Sequence, residues 1–168
     1  LVGGHSGAEI HKGRANADML LGRVLGAMAA DTSRSSVSAA GGLKDNAIPV
    51  AAEAVAVAAD AGRAIAAAER LTAALKAEYQ ATDPGLAVEV CPAGAAEMPM
   101  DGASTQRALC LLACAPNGVQ EMSHDIPGLV QTSLNLGILE TAGTELSAAF
   151  CVRSSVASQK EMLHSRLR

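Results

Sequence analysis

Val130-Gln131-Thr132-Ser133-Leu134-Asn135-Leu136-Gly137-Ile138, then after a turn at Thr141 to Gly143 the run Leu146-Ser147-Ala148-Ala149-Phe150-Cys151-Val152-Arg153, decides the fold. Val130, Thr132, Leu134, Leu136 and Ile138 alternate with Gln131, Ser133, Asn135 and Gly137, and Leu146, Ala148, Phe150 and Val152 alternate with Ser147, Ala149, Cys151 and Arg153. A period of two sends successive side chains to opposite faces, so these runs predict an antiparallel hairpin with one face off the helix-packed core. Arg153 falls on the polar register, opposite Phe150 and Val152, and is therefore free to face a cleft.

Working outward, Ser154 or Ser155 caps a last helix with Met162, Leu163 and Leu167 inward. Upstream, Pro116 to Gly128 reads as a loop, and Ser104 caps a helix through Cys114. Pro92 to Ser104 is a loop, Leu86 to Cys91 a short strand, and Asp83-Pro84-Gly85 a turn. Asp60 caps a helix to Gln80 with Ile65, Ala68, Leu71, Leu75 and Tyr79 inward. Arg34 to Leu43 and Ile48 to Ala58 read as a second hairpin around Lys44-Asp45-Asn46, with Pro49 tolerable only near a strand start. Ile10 to Ala30 carries Ala17, Leu20, Leu21, Val24 and Met28 at helical spacing, and Gly3 to Gly7 is a glycine-rich loop at the tail of a strand.

The order is helix-hairpin-helix, short strand, helix-hairpin-helix. It predicts an α+β fold of two ferredoxin-like split β-α-β units, roughly 1–91 and 92–168, with antiparallel sheets and helices packed on one face. Both ends read as cuts of an insert, with Leu1 and Arg168 expected close together.

Composition limits the partners. The 168 residues carry a formal net charge of -4, with Tyr79 and Phe150 as the aromatics. An acidic chain with scattered cations and few stacking rings argues against nucleic acid. No apolar run approaches the ~20 residues of a membrane span, and no secretory signal is visible, so a cytoplasmic protein without membrane contact is expected. Cys110 and Cys114 sit one helical turn apart beside Leu111, Leu112 and Ala113, and read as small buried hydrophobes rather than a metal pair or a disulfide framework. His5, His11, His124 and His164 have no ligand spacing to one another, so no metal is expected on this chain. Neither a nucleophile elbow nor a phosphate-cradling loop is present, which leaves a self-sufficient hydrolase without its chemistry.

Four stretches carry a resemblance. They are Gly3-Gly4-His5-Ser6-Gly7-Ala8-Glu9-Ile10-His11-Lys12-Gly13-Arg14-Ala15-Asn16-Ala17; Asp45-Asn46-Ala47-Ile48-Pro49; Pro116-Asn117-Gly118-Val119 with Ser133-Leu134-Asn135-Leu136-Gly137; and Val152-Arg153-Ser154-Ser155 with Gln159-Lys160-Glu161-Met162-Leu163. In this order they resemble the lid of the aminoacyl-histidine dipeptidases, also called peptidase D or cytosolic non-specific dipeptidases, of the co-catalytic zinc peptidase clan.

The resemblance implies that residues 1–168 form a lid domain whose partner is a zinc catalytic domain of the same protein, absent from this chain and holding two zinc ions. It implies hydrolysis of Xaa-His and other dipeptides by the whole metallopeptidase and a fragment that is inactive alone; a homodimer is left open, the apolar register on the exposed strands being able to pair between copies. By the same resemblance His5 polarises the scissile carbonyl and stabilises the oxyanion, Asn46 binds substrate beside it, and Arg153 holds the dipeptide's free carboxylate through two parallel hydrogen bonds. His11 and His124 are left as structural. Taken without the resemblance, His5 reads as a solvated loop histidine, Asn46 as turn chemistry and Arg153 as a surface ion pair. The competing reading of the whole chain is a stand-alone ferredoxin-like ligand-binding or oligomerisation module.

Overall fold

The hairpin forms the spine of the protein in its computed structural model, which describes residues 1–31, 35–93, 100–143 and 145–168. β6 (Val130–Ala142) pairs antiparallel with β7 (Glu145–Ser154) from Thr132↔Ser154 to Ala142↔Glu145, and the register shifts between Leu136 and Ile138. Gly137 is the extra residue of this bulge. The opposite edge of β6 serves two partners. Its start pairs with β5 (Gly118–Met122), and Leu139 and Glu140 pair with the end of β2 (Ser35–Gly41). β2 in turn pairs along its length with β4 (Ala52–Ala58), so the two predicted hairpins lie in one five-stranded sheet. A separate two-stranded ladder joins β1 (Gly4–His5) to β3 (Ala47–Ile48). With four α-helices beside antiparallel sheets among the described residues, the α+β class is as expected.

α1 (Ala17–Asp31) and α3 (Gly102–Cys114) cover the apolar face of the sheet, where Leu112 meets Ala39, Leu136 and Leu139, with Met19, Ala148 and Phe150 around them. α2 (Ala61–Glu78) packs on α1 through Leu20, Val24, Ala68 and Leu75, while α4 (Ala157–Arg166) packs on β7. The helices approach closely because small residues face the seams. A Cβ on Gly22 of α1 would stand 2.5 Å from Leu112 Cβ, so only glycine lets α3 lie this near. Fully burying one leucine such as Leu75 contributes about 1.5–3 kcal/mol.

Several expectations need correction. The helix predicted from Ile10 divides into a 3-10 turn, Ile10–Lys12, and α1, because Gly13 takes a left-handed conformation (φ 65) and Asn16 caps the new helix through Asp18 N and Met19 N. The strand predicted from Ile48 to Ala58 breaks at Pro49, which has no N–H to give a ladder, and its two parts pair with different strands. Arg34, where the preceding strand was predicted to start, lies outside the described residues. Leu86 to Cys91 is not a strand, since Leu86 and Val88 pack on the α1–α2 cluster and the backbone joins no ladder. Asp101, not Ser104, caps α3, accepting from Ser104 N at 2.7 Å. β5 occupies part of the predicted loop. α4 is capped by Val156 rather than a serine, with Ser154 Oγ bonded to Val156 N just before it. Asp60 caps α2 as predicted, through Arg63 N.

The cysteine expectation also fails. Thr105, Ala108, Leu109 and Leu112 take the inner face of α3, leaving Cys110 and Cys114 exposed, and Cys91 is exposed as well.

Candidate functional site

His5 ends β1, whose ladder with β3 sets Gly4 against Ile48 and His5 against Ala47. The next residue, Ser6, donates its N–H to Asn46 O at 2.9 Å, so the His5 loop and the Asn46 turn are joined by backbone alone. The chain then reverses, with Ala8 N and Glu9 N both donating to His5 O. Within the reversal His5 Nδ1 accepts from Gly7 N and Ala8 N, each at 3.1 Å. With Nδ1 occupied as an acceptor, the neutral ring carries its proton on Nε2 and offers that N–H outward from an exposed side chain.

Glu9 and Arg14 fasten this loop. Glu9 Oε2 accepts from His5 N at 3.0 Å, and Oε1 lies 2.8 Å from Lys12 Nζ and 3.2 Å from Arg14 Nη1. Arg14 also donates to Gly3 O. The hydrogen bond from Lys12, then that from the His5 backbone, hold the Glu9 carboxyl down at about 2. Gly4 (φ 147) makes room for this pair, since a Cβ there would stand 2.7 Å from both Arg14 Nη1 and Glu9 Oε2.

Arg153 arrives from the far end of the sequence. It sits on β7 opposite Ser133, exposed and on the face away from Phe150 and Val152, as its register predicted. A Cβ on Gly7 would lie 3.0 Å from Arg153 Cζ and 3.0 Å from His5 Cε1. The imidazole and the guanidinium therefore flank one small space above Gly7, and the Asn46 turn adjoins it through Ser6. The His5 and Arg153 side chains are brought together, and Asn46 is joined to their loop through its backbone carbonyl.

Asn135 holds that turn, with Asn16 and Asn117 bonded behind it, and sequence reasoning gave none of the three a role. Asn135 Nδ2 donates to Asp45 O at 3.0 Å and Ala47 O at 2.8 Å, the two carbonyls that bracket Asn46. Asn16 Nδ2 donates to Leu136 O at 2.8 Å and reaches Asn135 Oδ1 at 3.3 Å. Asn117 Oδ1 accepts from Leu136 N at 2.9 Å. Asn16 and Asn135 are buried, which strengthens such a network and makes each missing partner costly. The available signal was Asn135 itself, an amide between two leucines in the most apolar strand. A cleft of about 360 Å³ opens beside the network, lined by His11, Arg14, Ile48, Tyr79, Asn117 and Asn135.

Other polar groups lie apart from these. His124 pairs with Glu121 at 3.3 Å and is exposed. Asp18, in the first turn of α1, is fully buried against Gly41 and Ala52, and both its oxygens lack a hydrogen-bond partner among the described residues. Burial pushes its carboxyl up to about 7. Ser6 Oγ is likewise buried and without a partner among the described residues. Among them, too, no three His, Cys, Asp or Glu side chains gather where a metal ion could be held. The site thus presents hydrogen-bond donors, an imidazole N–H and a guanidinium fork, suited to a carbonyl or carboxylate oxygen.

No family model matches the chain. Over 99% of its length it is 33% identical to the cytosol non-specific dipeptidase of Escherichia coli (strain K12), covering 35% of that protein. The crystal structure of aminoacylhistidine dipeptidase from Vibrio alginolyticus superposes with a TM-score of 0.87 at 32% identity, over 98% of this chain and 34% of that one. The chain spans about a third of the length of both. From one end to the other, it is a homologue of one part of these two dipeptidases, in sequence and in fold.

Proposed function

We propose that the chain is the substrate-binding lid of a zinc-dependent aminoacyl-histidine dipeptidase of the cytoplasm, working against a two-zinc catalytic domain of the same protein. The observation that carries this reading is the meeting of His5 and Arg153 over Gly7, at positions near opposite ends of the sequence. In this role the dipeptide lies across the site. Nε2–H of His5 donates to the scissile carbonyl oxygen and strengthens that bond as negative charge builds there. Arg153 grips the free C-terminal carboxylate with two parallel N–H donors, and Asn46 supplies a further polar contact. Zinc, bound by the catalytic domain, would supply the activated water. The lid itself contributes donors and shape, and by itself is inactive.

The test is to assay the segment alone and within its full open reading frame for hydrolysis of Xaa-His dipeptides, with zinc content measured after dialysis. The segment should be silent and the whole protein active and zinc-bearing. Turnover by the segment alone, or a full frame without dipeptidase activity, would overturn the reading.

A further inference from the structure

α3 carries two thiols that dipeptide hydrolysis does not use. Cys110 and Cys114 stand four residues apart at the C-terminal end of this helix, and both are exposed. Helical geometry brings side chains four apart onto one face, with Cβ atoms about 5–6 Å from each other. With both side chains exposed on that face, one bridging atom can reach both sulfurs.

What fits between them follows from the spacing. A disulfide needs Cβ atoms about 3.5–4.5 Å apart, closer than an intact helix allows, so direct oxidation would have to unwind the last turn. A bridging atom suits the wider gap. Zinc in structural sites takes four protein ligands, and among the described residues no third His, Cys, Asp or Glu joins the pair. Soft ions content with two thiolates remain. We propose that Cys110 and Cys114 form a chelating site for soft, thiophilic species of low coordination number, trivalent arsenicals above all.

The chemistry balances without a redox partner. With an organic arsenoxide, two As–S bonds form and the arsenic–oxygen bond is lost. The two thiol protons leave with the oxygen as one water, and arsenic remains trivalent. The second bond closes within one helical turn, so it forms at high effective concentration and resists competition by single thiols. The neighbouring Cys110 thiol pushes Cys114 up from its ordinary range, which leaves it a poorer nucleophile toward one-site alkylating reagents. Selectivity therefore comes from the pairing.

The test titrates the reduced chain with phenylarsine oxide and reads the adduct by intact mass, with circular dichroism to check the helices. One phenylarsenic per chain should bind, persist in a large excess of 2-mercaptoethanol, and leave on adding 2,3-dimercaptopropanol. Cys110→Ser and Cys114→Ser should each lose the monothiol-resistant adduct, while the Cys91→Ser/Cys151→Ser double variant, which leaves α3 untouched, should keep it. An adduct that washes off the unaltered chain with monothiol, survives either single substitution, or disappears from the double variant would overturn the assignment.

Discussion

His5 and Arg153 approach the same point, the place a Cβ on Gly7 would occupy, at 3.0 Å each. The glycine is therefore a spacer between an imidazole from the loop after β1 and a guanidinium from β7. Gly7→Ala should push one of them away while leaving the fold intact, lowering kcat/KM for dipeptides in the full-length enzyme by about tenfold, equivalent to about 1.4 kcal/mol. Unchanged kinetics in a folded Gly7→Ala enzyme would show that the two side chains do not act together.

Arg153 has a sharper signature. If it grips the substrate carboxylate, Arg153→Lys should already harm the full-length enzyme, because an ammonium lacks the planar fork. Arg153→Ala should cost about 2–5 kcal/mol in transition-state binding to free dipeptides and much less with C-terminally amidated ones. His5→Ala should lower kcat for both substrate types, since both have the carbonyl. Equal losses on free and amidated substrates for Arg153→Ala would remove the carboxylate grip.

The asparagine cluster separates support from contact. Asn135→Ala leaves Asp45 O, Ala47 O and the Asn16 amide short of partners and should destabilise the chain by about 1–3 kcal/mol. Asn46→Ala, on a turn held by its backbone, should change stability by no more than about 0.5 kcal/mol. Urea unfolding of the two variants decides this, and equal losses would contradict it.

Asp18 gives a pH dependence of definite sign. Its carboxyl is raised from 3.8 to about 7 in the folded chain, so folding favours the protonated form. The stability it contributes is fully present below about pH 4 and is lost as pH rises through about 7, a change on the order of a few kcal/mol. Asp18→Asn should remove this slope, making the variant more stable than the unaltered chain at pH 8 relative to pH 5. Parallel stability curves across that range would show that the carboxyl is not protonated in the fold.

What the sequence made legible was local. The β6–β7 alternation gave both strands and the outward register of Arg153, and Asp60 was readable as a cap because nothing nearby competed with it. At α3, Ser104 competed with Asp101, and both are caps by chemistry; three-dimensional geometry chose the earlier one. β5 was missed because it has little alternation of its own and is a strand only where β6 lies beside it, across two register shifts. Cys110 and Cys114 were misplaced because Cys110 to Cys114 is apolar all round, which hides the inner face that Leu109 and Leu112 take. In the site, motif resemblance supplied the three residues. The meeting of His5 and Arg153 over Gly7 was not readable, since it depends on a pairing of β1 with β3 and a sheet register formed far away in sequence.

The short seam between β2 and β6 has a kinetic meaning. Ala40 meets Glu140 and Gly41 meets Leu139, pairs separated by roughly a hundred residues of chain, whereas β2–β4 and β6–β7 are hairpins that close nearby loops. Closing the long loop costs chain entropy before its few contacts return anything, so the hairpins form early and the seam late. Until it closes, β2 and β6 each present an open strand edge to any neighbouring chain. The folding of this protein is therefore most exposed to aggregation in its last step, and dilution should raise the refolded yield more than it changes the refolding rate.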